Sequence, residues 1–261
     1  MSTTALAAPI RVNHSGVHAR PGLARLVAVE LRKMVNTRAG LWLQITMVAL
    51  TAAVVIGRRV FGEGGDHTFA AMLDAGVKPA AVLLPIAGIL LVTSEWSQRT
   101  GMITFALVPV RSRILRARLI ASIVLALAQL VVSVAIVAAA VLGASPGIDG
   151  TWSDAATLIG QSAAYLTTGM VVGVALGAIL LAPTPAIAVL LVLPTALWAV
   201  LSLPVFSDVA PWVDYARALG GVTEDVMSAT QWAHLGTSLV IWMVLPLLIG
   251  ARRITRCEVT A

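Results

Sequence analysis

The chain has 261 residues, 59% hydrophobic and only 11% charged. A soluble domain carries about 25% charged residues, so no ordinary water-facing surface can be built from these, and the expected solvent is lipid. The net charge of +6 would suit nucleic acid in a soluble protein; in so apolar a chain, basic residues are first topology signals and anionic-lipid contacts. Aromatics are 5%, and Ala, Leu and Val dominate. That suits close-packed helices rather than a barrel of alternating strands. The single Cys257 excludes an internal disulfide and any multi-cysteine metal site.

Residues 1–22 read as a flexible arm. Arg11, Arg20, Arg25, Arg32, Lys33 and Arg38 follow one another with no intervening apolar core, so no cleavable targeting peptide is expected and the first true span directs insertion. His14 and His18 stand four apart, as two imidazoles on one helical face would. They lack the Glu of an HExxH motif and lie among Ala, Pro and Gly, which favours disorder over a metal site.

Residues 23–38 alternate at helical period, with Leu23, Leu26, Val27, Leu31 and Met34 on one face and Arg25, Arg32 and Asn36 opposite. This predicts an interfacial helix on the inner leaflet. Glu30 intrudes on the apolar face, where an unpaired carboxylate is costly. It either pairs, with Lys33 or Arg99 as candidates, or snorkels to water.

Charge-free gaps then count the crossings, because each Asp, Glu, Lys or Arg is expensive at the bilayer centre and about twenty apolar residues span it. The gaps run from Arg38 to Arg58, Lys78 to Glu95, Arg118 to Asp149, Asp154 to Asp208 and Asp225 to Arg252. The fourth is too long for one helix and is divided at Pro183-Thr184-Pro185. Six spans are predicted within 39–251, near 40–57, 77–94, 119–143, 157–181, 185–204 and 233–251, followed by a tail at 252–261. The fold class is therefore all-α, a polytopic membrane protein with six transmembrane helices. Arg58-Arg59 either snorkels to the headgroups or marks a longer first span.

These predicted spans contain no acid. Gln44, Gln129 and Gln161 read as interhelical hydrogen-bonding groups before they read as substrate contacts, and His234 as an interfacial residue. Gly169, Gly173 and Gly177 at four-residue spacing strip one face of the fourth span, and a neighbouring backbone in the same chain or a second copy is expected against it. The 95–118 stretch is too polar at its ends to cross; it reads as a short cytoplasmic helix, a break near Pro109 and a basic helix leading into the third span. Between spans five and six, Val209, Trp212, Val213, Ala216 and Leu219 form an apolar stripe beside Asp208, Asp214 and Arg217. A re-entrant or surface helix is predicted there.

The N-terminal arm, the 95–118 loop and the tail with Arg252, Arg253 and Arg256 hold fourteen of the eighteen basic residues, which makes those faces, and both termini, cytoplasmic. The opposite loops hold nine of the twelve acids, among them Asp149, Asp154, Glu224 and Asp225. Neither lysine, Lys33 or Lys78, follows a glycine, so the chain has no P-loop, and any ATP-driven function requires a separate subunit.

Together these elements resemble the permease subunits of ABC-2-type transporters. The similarity runs over nearly the whole chain, and its most specific part is SEWSQRTGMITFALVPVRSRILRARLIA at 94–121, where Ser94, Glu95, Thr100, Pro109, Arg111 and Arg113 stand at the family's positions. ELRKMVNTRAGLW resembles the family's connecting helix, with Glu30, Arg32, Lys33 and Arg38 in place. Arg99 departs from the small residue usual there. The resemblance implies a homo- or heterodimer of six-span permeases in the cell membrane, bound to cytoplasmic ATPase subunits that carry the ATP and Mg, with no catalytic, cofactor or metal residue in this chain. It further implies that Glu95, Arg99, Thr100, Arg111 and Arg113 couple to the ATPase, that Glu30 and Lys33 link the connecting helix to that contact, that spans one, two and five line the dimer pathway, and that the exported substrate is an amphiphile. The rival readings are a non-transporting accessory or immunity protein on the same scaffold and a membrane-embedded lipid-modifying enzyme. The last would require a charged catalytic cluster at one headgroup level.

Overall fold

The computed structural model describes residues 22–62, 67–97, 111–143, 152–220, 222–223 and 225–256, with the backbone alone at 95–97, 111 and 254–256. All regular structure among them is helical: α1 (Leu23–Asn36), α2 (Arg38–Phe61), α3 (Phe69–Ser97), α4 (Arg111–Leu142), α5 (Ala155–Leu180) and α6 (Pro183–Leu201). A 3-10 turn at Pro204–Phe206 and two short helices, α7 (Ala210–Val213) and α8 (Tyr215–Gly220), lead to a final rod. That rod is α9 (Ala229–Leu239), a π turn (Val240–Val244) and α10 (Leu245–Arg256). Six helices are long and apolar enough to cross a membrane: α2, α3, α4, α5, α6 and the final rod.

The helices overrun the charge-defined spans at several ends. Thus α2 passes through Arg58 and Arg59 to Phe61, which makes the arginine pair the last turn of a longer first span. Likewise α3 starts at Phe69, capped by the Thr68 hydroxyl accepting from Ala71 N at 3.3 Å, and so takes in Asp74 and Lys78. The expectation that the spans hold no acid is corrected here, because a charge can enter a helix end when a partner one turn away neutralises it. The basic stretch before the third span is continuous with it in α4, and residues 98–110, including Pro109, lie outside the described residues.

The corner between α1 and α2 is made by Thr37 in extended conformation, whose hydroxyl accepts from Gly40 N at 3.1 Å. Gly40 abuts the Met34 carbonyl so closely that no side chain fits there. At the other hairpin, Leu181 takes φ 55° and donates its N–H to Gly177 O at 2.9 Å, and Pro183 opens α6 as its first residue. The turn is thus Leu181-Ala182, and Pro183 is the helix start that fixed φ favours.

The centre of the bundle is α3, α4 and α5. Of their most apolar windows 61%, 44% and 56% are buried, against 17%, 11% and 17% for α2, α6 and the final rod. The three outer helices therefore turn most of their surface to lipid or to another protein. In lipid no hydrophobic drive holds helices together, so close backbone packing must. The pair α3·α5 supplies it: Gly173 lies against the Pro85 carbonyl, and a Cβ on Gly177 would stand 3.1 Å from Ile89 O. From the other side, a Cβ on Gly88 would stand 2.6 Å from Met170 O. Gly169, at the edge of the stripe, faces the Pro85 ring. The neighbour of the glycine face is thus α3 of the same chain.

Candidate functional site

Polar side chains collect at both ends of the bundle. At the end where α1 lies, Glu30 is 5% exposed; its Oε1 accepts from Lys33 Nζ at 2.9 Å, and its Oε2 lies 3.6 Å from Nε of buried Arg118. The apolar face of α1 that carries Glu30 packs through Val27, Leu31 and Met34 onto the core, while Leu23 is exposed and Leu26 half-buried. Of the two partners considered for Glu30, Lys33 is present and Arg99 lies outside the described residues. Arg118, on the first turns of the third span, was missed: periodicity marked it as basic and did not tell which way the helix turns it.

The remaining coupling candidates are not brought together among the described residues. Glu95 lies in the last turn of α3 and Arg111 opens α4, each described by backbone alone; Thr100 is outside the described residues; Arg113 is half-buried and Arg32 exposed. At the same end Arg253 donates to the Ile179 carbonyl, tying the tail to the C-terminal turn of α5, where cations are favoured by exposed carbonyls.

The opposite end holds the larger network. Asp74, 7% exposed, accepts at Oδ1 from Thr223 Oγ1 at 2.6 Å and at Oδ2 from Lys78 Nζ at 2.7 Å. Both carboxylate oxygens are thus satisfied one turn inside α3. Gln161 of α5, 3% exposed, donates Nε2 to the carbonyls of Val222 and Asp225 at 2.7 and 2.8 Å and accepts from Met227 N at 2.9 Å. The glutamine does serve as hydrogen-bonding glue, though to loop backbone rather than to another helix. Gln129 is also buried, and its Nε2 finds no partner among the described residues. Gln44 is half-buried.

The segment held down in this way begins as two helices rather than one, broken at Asp214. Asp214 is 1% exposed, and its Oδ1 accepts from Ala216 N and Arg217 N at 3.0 and 3.1 Å, capping α8. The final rod clamps α7: Ser238 Oγ donates to Trp212 O at 3.1 Å and Trp242 Nε1 to Val213 O at 2.8 Å, while His234 packs edge-on against Trp212 at 4.4 Å. His234 is thus an aromatic contact of the loop. A Ser228–Gln231 capping box starts the rod. Burial raises the Tyr215 hydroxyl above its ordinary pKa, and repulsion from Tyr165 adds to the rise. One signal for Asp74 was present in the sequence, the Asp74-x-x-x-Lys78 spacing of a helical ion pair.

No group of three or more potential metal ligands occurs among the described residues. Six helices long and apolar enough to cross a membrane, with polar clusters at both ends of the bundle, point to the class of multi-pass α-helical membrane proteins. No protein-family model matches the chain, and no curated protein matches it.

Proposed function

We propose that this chain is the permease subunit of an ATP-binding-cassette exporter of the ABC-2 type, working as a dimer in the cell membrane with both termini cytoplasmic and with ATP and Mg on separate ATPase subunits. The observation that carries the reading is the Glu30 cluster. It joins the interfacial helix α1 to the base of α4 through Arg118, directly after the 95–118 loop whose residues resemble the family's coupling segment. A push delivered to that loop would reach α1 and α4 together, because a buried ion pair resists separation. The basic residues of α1, the start of α4 and the tail suit the cytoplasmic face. The largely uncovered α2 and α6 leave apolar surface for a second permease copy.

The test is co-expression with a P-loop ATPase, should one be encoded beside this chain, comparing wild type with Glu95→Ala. Copurification with the wild type, and loss of assembly or of transport-coupled ATPase activity in the variant, are expected. Failure of any P-loop protein to copurify would leave the accessory-protein reading in its place.

A further inference from the structure

A groove of about 530 Å³ runs between α2 and α3, in the half of the bundle away from α1. Its walls, Leu50 and Val54 of α2 and Val82 of α3, are exposed, so the groove opens outward from the bundle. Beside it the two helices touch: Thr51 donates to Gly76 O at 3.0 Å, and a Cβ on Gly76 would stand 3.1 Å from Val55. Ala75 and Pro79 bring only short side chains to the space, which keeps α3 from filling it. The volume lies within the range of about 300–1,000 Å³ that ligand sites occupy.

Two cations line the same groove, Arg58 in the last turn of α2 and Lys78 in the third turn of α3. They stand in the acid-rich half of the chain's topology, where the charge bias that orients a membrane protein does not call for basic residues. The acid beside them faces inward. Asp74 is 7% exposed and gives Oδ1 to Thr223 in the last loop, so its Oδ2 alone meets Lys78 Nζ, at 2.7 Å. An ammonium has three protons, and the Lys78 side chain is 57% exposed, which leaves donors for a second acceptor. Reaching back toward Asp74 also carries Nζ toward the end of the bundle where Arg58 lies and headgroups would sit. Two cations against one acid leave the described charges at the groove net positive.

We infer that this groove binds an anionic phospholipid of the surrounding membrane, the phosphate between Lys78 and Arg58 and one acyl chain lying along Leu50, Val54 and Val82. A phosphodiester brings acceptors and a negative charge to the two cations, and the acyl chain covers apolar walls that open toward lipid. A zwitterionic lipid carries a cation of its own into the same field and binds less well. A second copy of this chain, laid over the groove about a two-fold axis, would set its own Arg58 and Lys78 against these and be repelled. The site stands on this geometry and does not depend on the transport reading.

The experiment uses the full chain in phosphatidylcholine nanodiscs with two trace probes, a phosphatidylglycerol and a phosphatidylcholine that carry the same diazirine midway along one acyl chain. Photolabelling is mapped by mass spectrometry of peptides. Both probes should label the uncovered α6 alike, whereas the anionic probe should label residues 50–54 and 82–83 about fivefold more than the zwitterionic one, or better. Arg58→Gln and Lys78→Gln should each lower that labelling about fivefold. Inorganic phosphate at constant ionic strength should not displace the lipid, and Val82→Cys in a Cys257→Ser background should form no disulfide-linked dimer on oxidation. The inference is overturned if the two probes label the groove alike, if both glutamine variants label as the wild type does, if phosphate displaces the lipid, or if the dimer forms and gives the groove to a second copy. The comparison of the two probes on the wild type decides even if a variant does not fold.

Discussion

Thr223 donates a 2.6 Å hydrogen bond to Asp74, joining the loop before the last span to the start of the second. Lys78 holds the other carboxylate oxygen of Asp74 but is itself 57% exposed at its side chain. Screening weakens the ion pair there, and the buried hydroxyl contact is the stronger tether. Thr223→Val keeps the shape and removes the donor. It is expected to destabilise the fold by about 1–3 kcal/mol, measured by thermal unfolding in nanodiscs, with faster proteolysis in the 220–228 loop. An unchanged midpoint would mean that the Thr223–Asp74 hydrogen bond does not stabilise the fold.

Gln161 meets three backbone groups of the same loop. Gln161→Leu leaves two carbonyls and one N–H without that partner, at a cost of about 1–3 kcal/mol for each group that stays dry. Hydrogen exchange should show it most directly: the Met227 amide, protected in the wild type, should exchange at least tenfold faster in the variant.

For the glycine stripe the prediction separates two positions on one helix. Gly173→Ala drives a methyl into the Pro85 carbonyl and should cost about 1–3 kcal/mol of overpacking. Gly160→Ala meets nothing within 4 Å and should be neutral or slightly stabilising. Equal effects in a detergent-unfolding assay would mean that the α3·α5 contact does not set the stability of the bundle.

Glu30→Ala removes the buried carboxylate that stands 3.6 Å from Arg118 Nε and should cost about 1–3 kcal/mol. Glu30→Ala combined with Arg118→Ala should cost less than the sum of the single changes. Thermal unfolding of the four proteins in a double-mutant cycle measures the coupling, and strict additivity would mean that the 3.6 Å approach carries no energy.

Tyr215 supplies a pH signature. Its folded-state pKa lies above the ordinary 10.0, so above pH 10 the unfolded chain releases a proton that the folded chain keeps. Stability from this group is whole below pH 10 and falls as pH climbs beyond it. Tyr215→Phe should remove that alkaline loss and, because the hydroxyl is buried without a partner, cost nothing at neutral pH. Unfolding midpoints of both proteins between pH 8 and pH 11 test this.

Much of the architecture was legible because lipid charges a local toll on every ionised residue. The gap from Arg38 to Arg58 located α2, and the long gap from Asp154 to Asp208 divided at the prolines into α5 and α6. Where the reading fell short, the cause was a compensated charge: Asp74 sits inside α3 because Lys78 and Thr223 neutralise and bond it, and a ruler of single charges does not register partners. Glu30 showed in the sequence that it wanted a partner and named Lys33. Arg118 became visible only when α1 was laid against α4.

By itself, then, the sequence determined how many times this chain can cross a bilayer, which of its ends are basic and where a helix is bare enough for close approach, since each depends on composition over a few turns. Tertiary structure alone decided that Pro85 fills the bare face, that Thr223 and Gln161 hold the last loop, and that Asp214, Tyr215 and Trp242 meet at one cavity. Those meetings depend on how each helix is rotated about its own axis against its neighbours. In a chain whose helices are apolar nearly all round, the local period leaves that rotation open, and only packing fixes it.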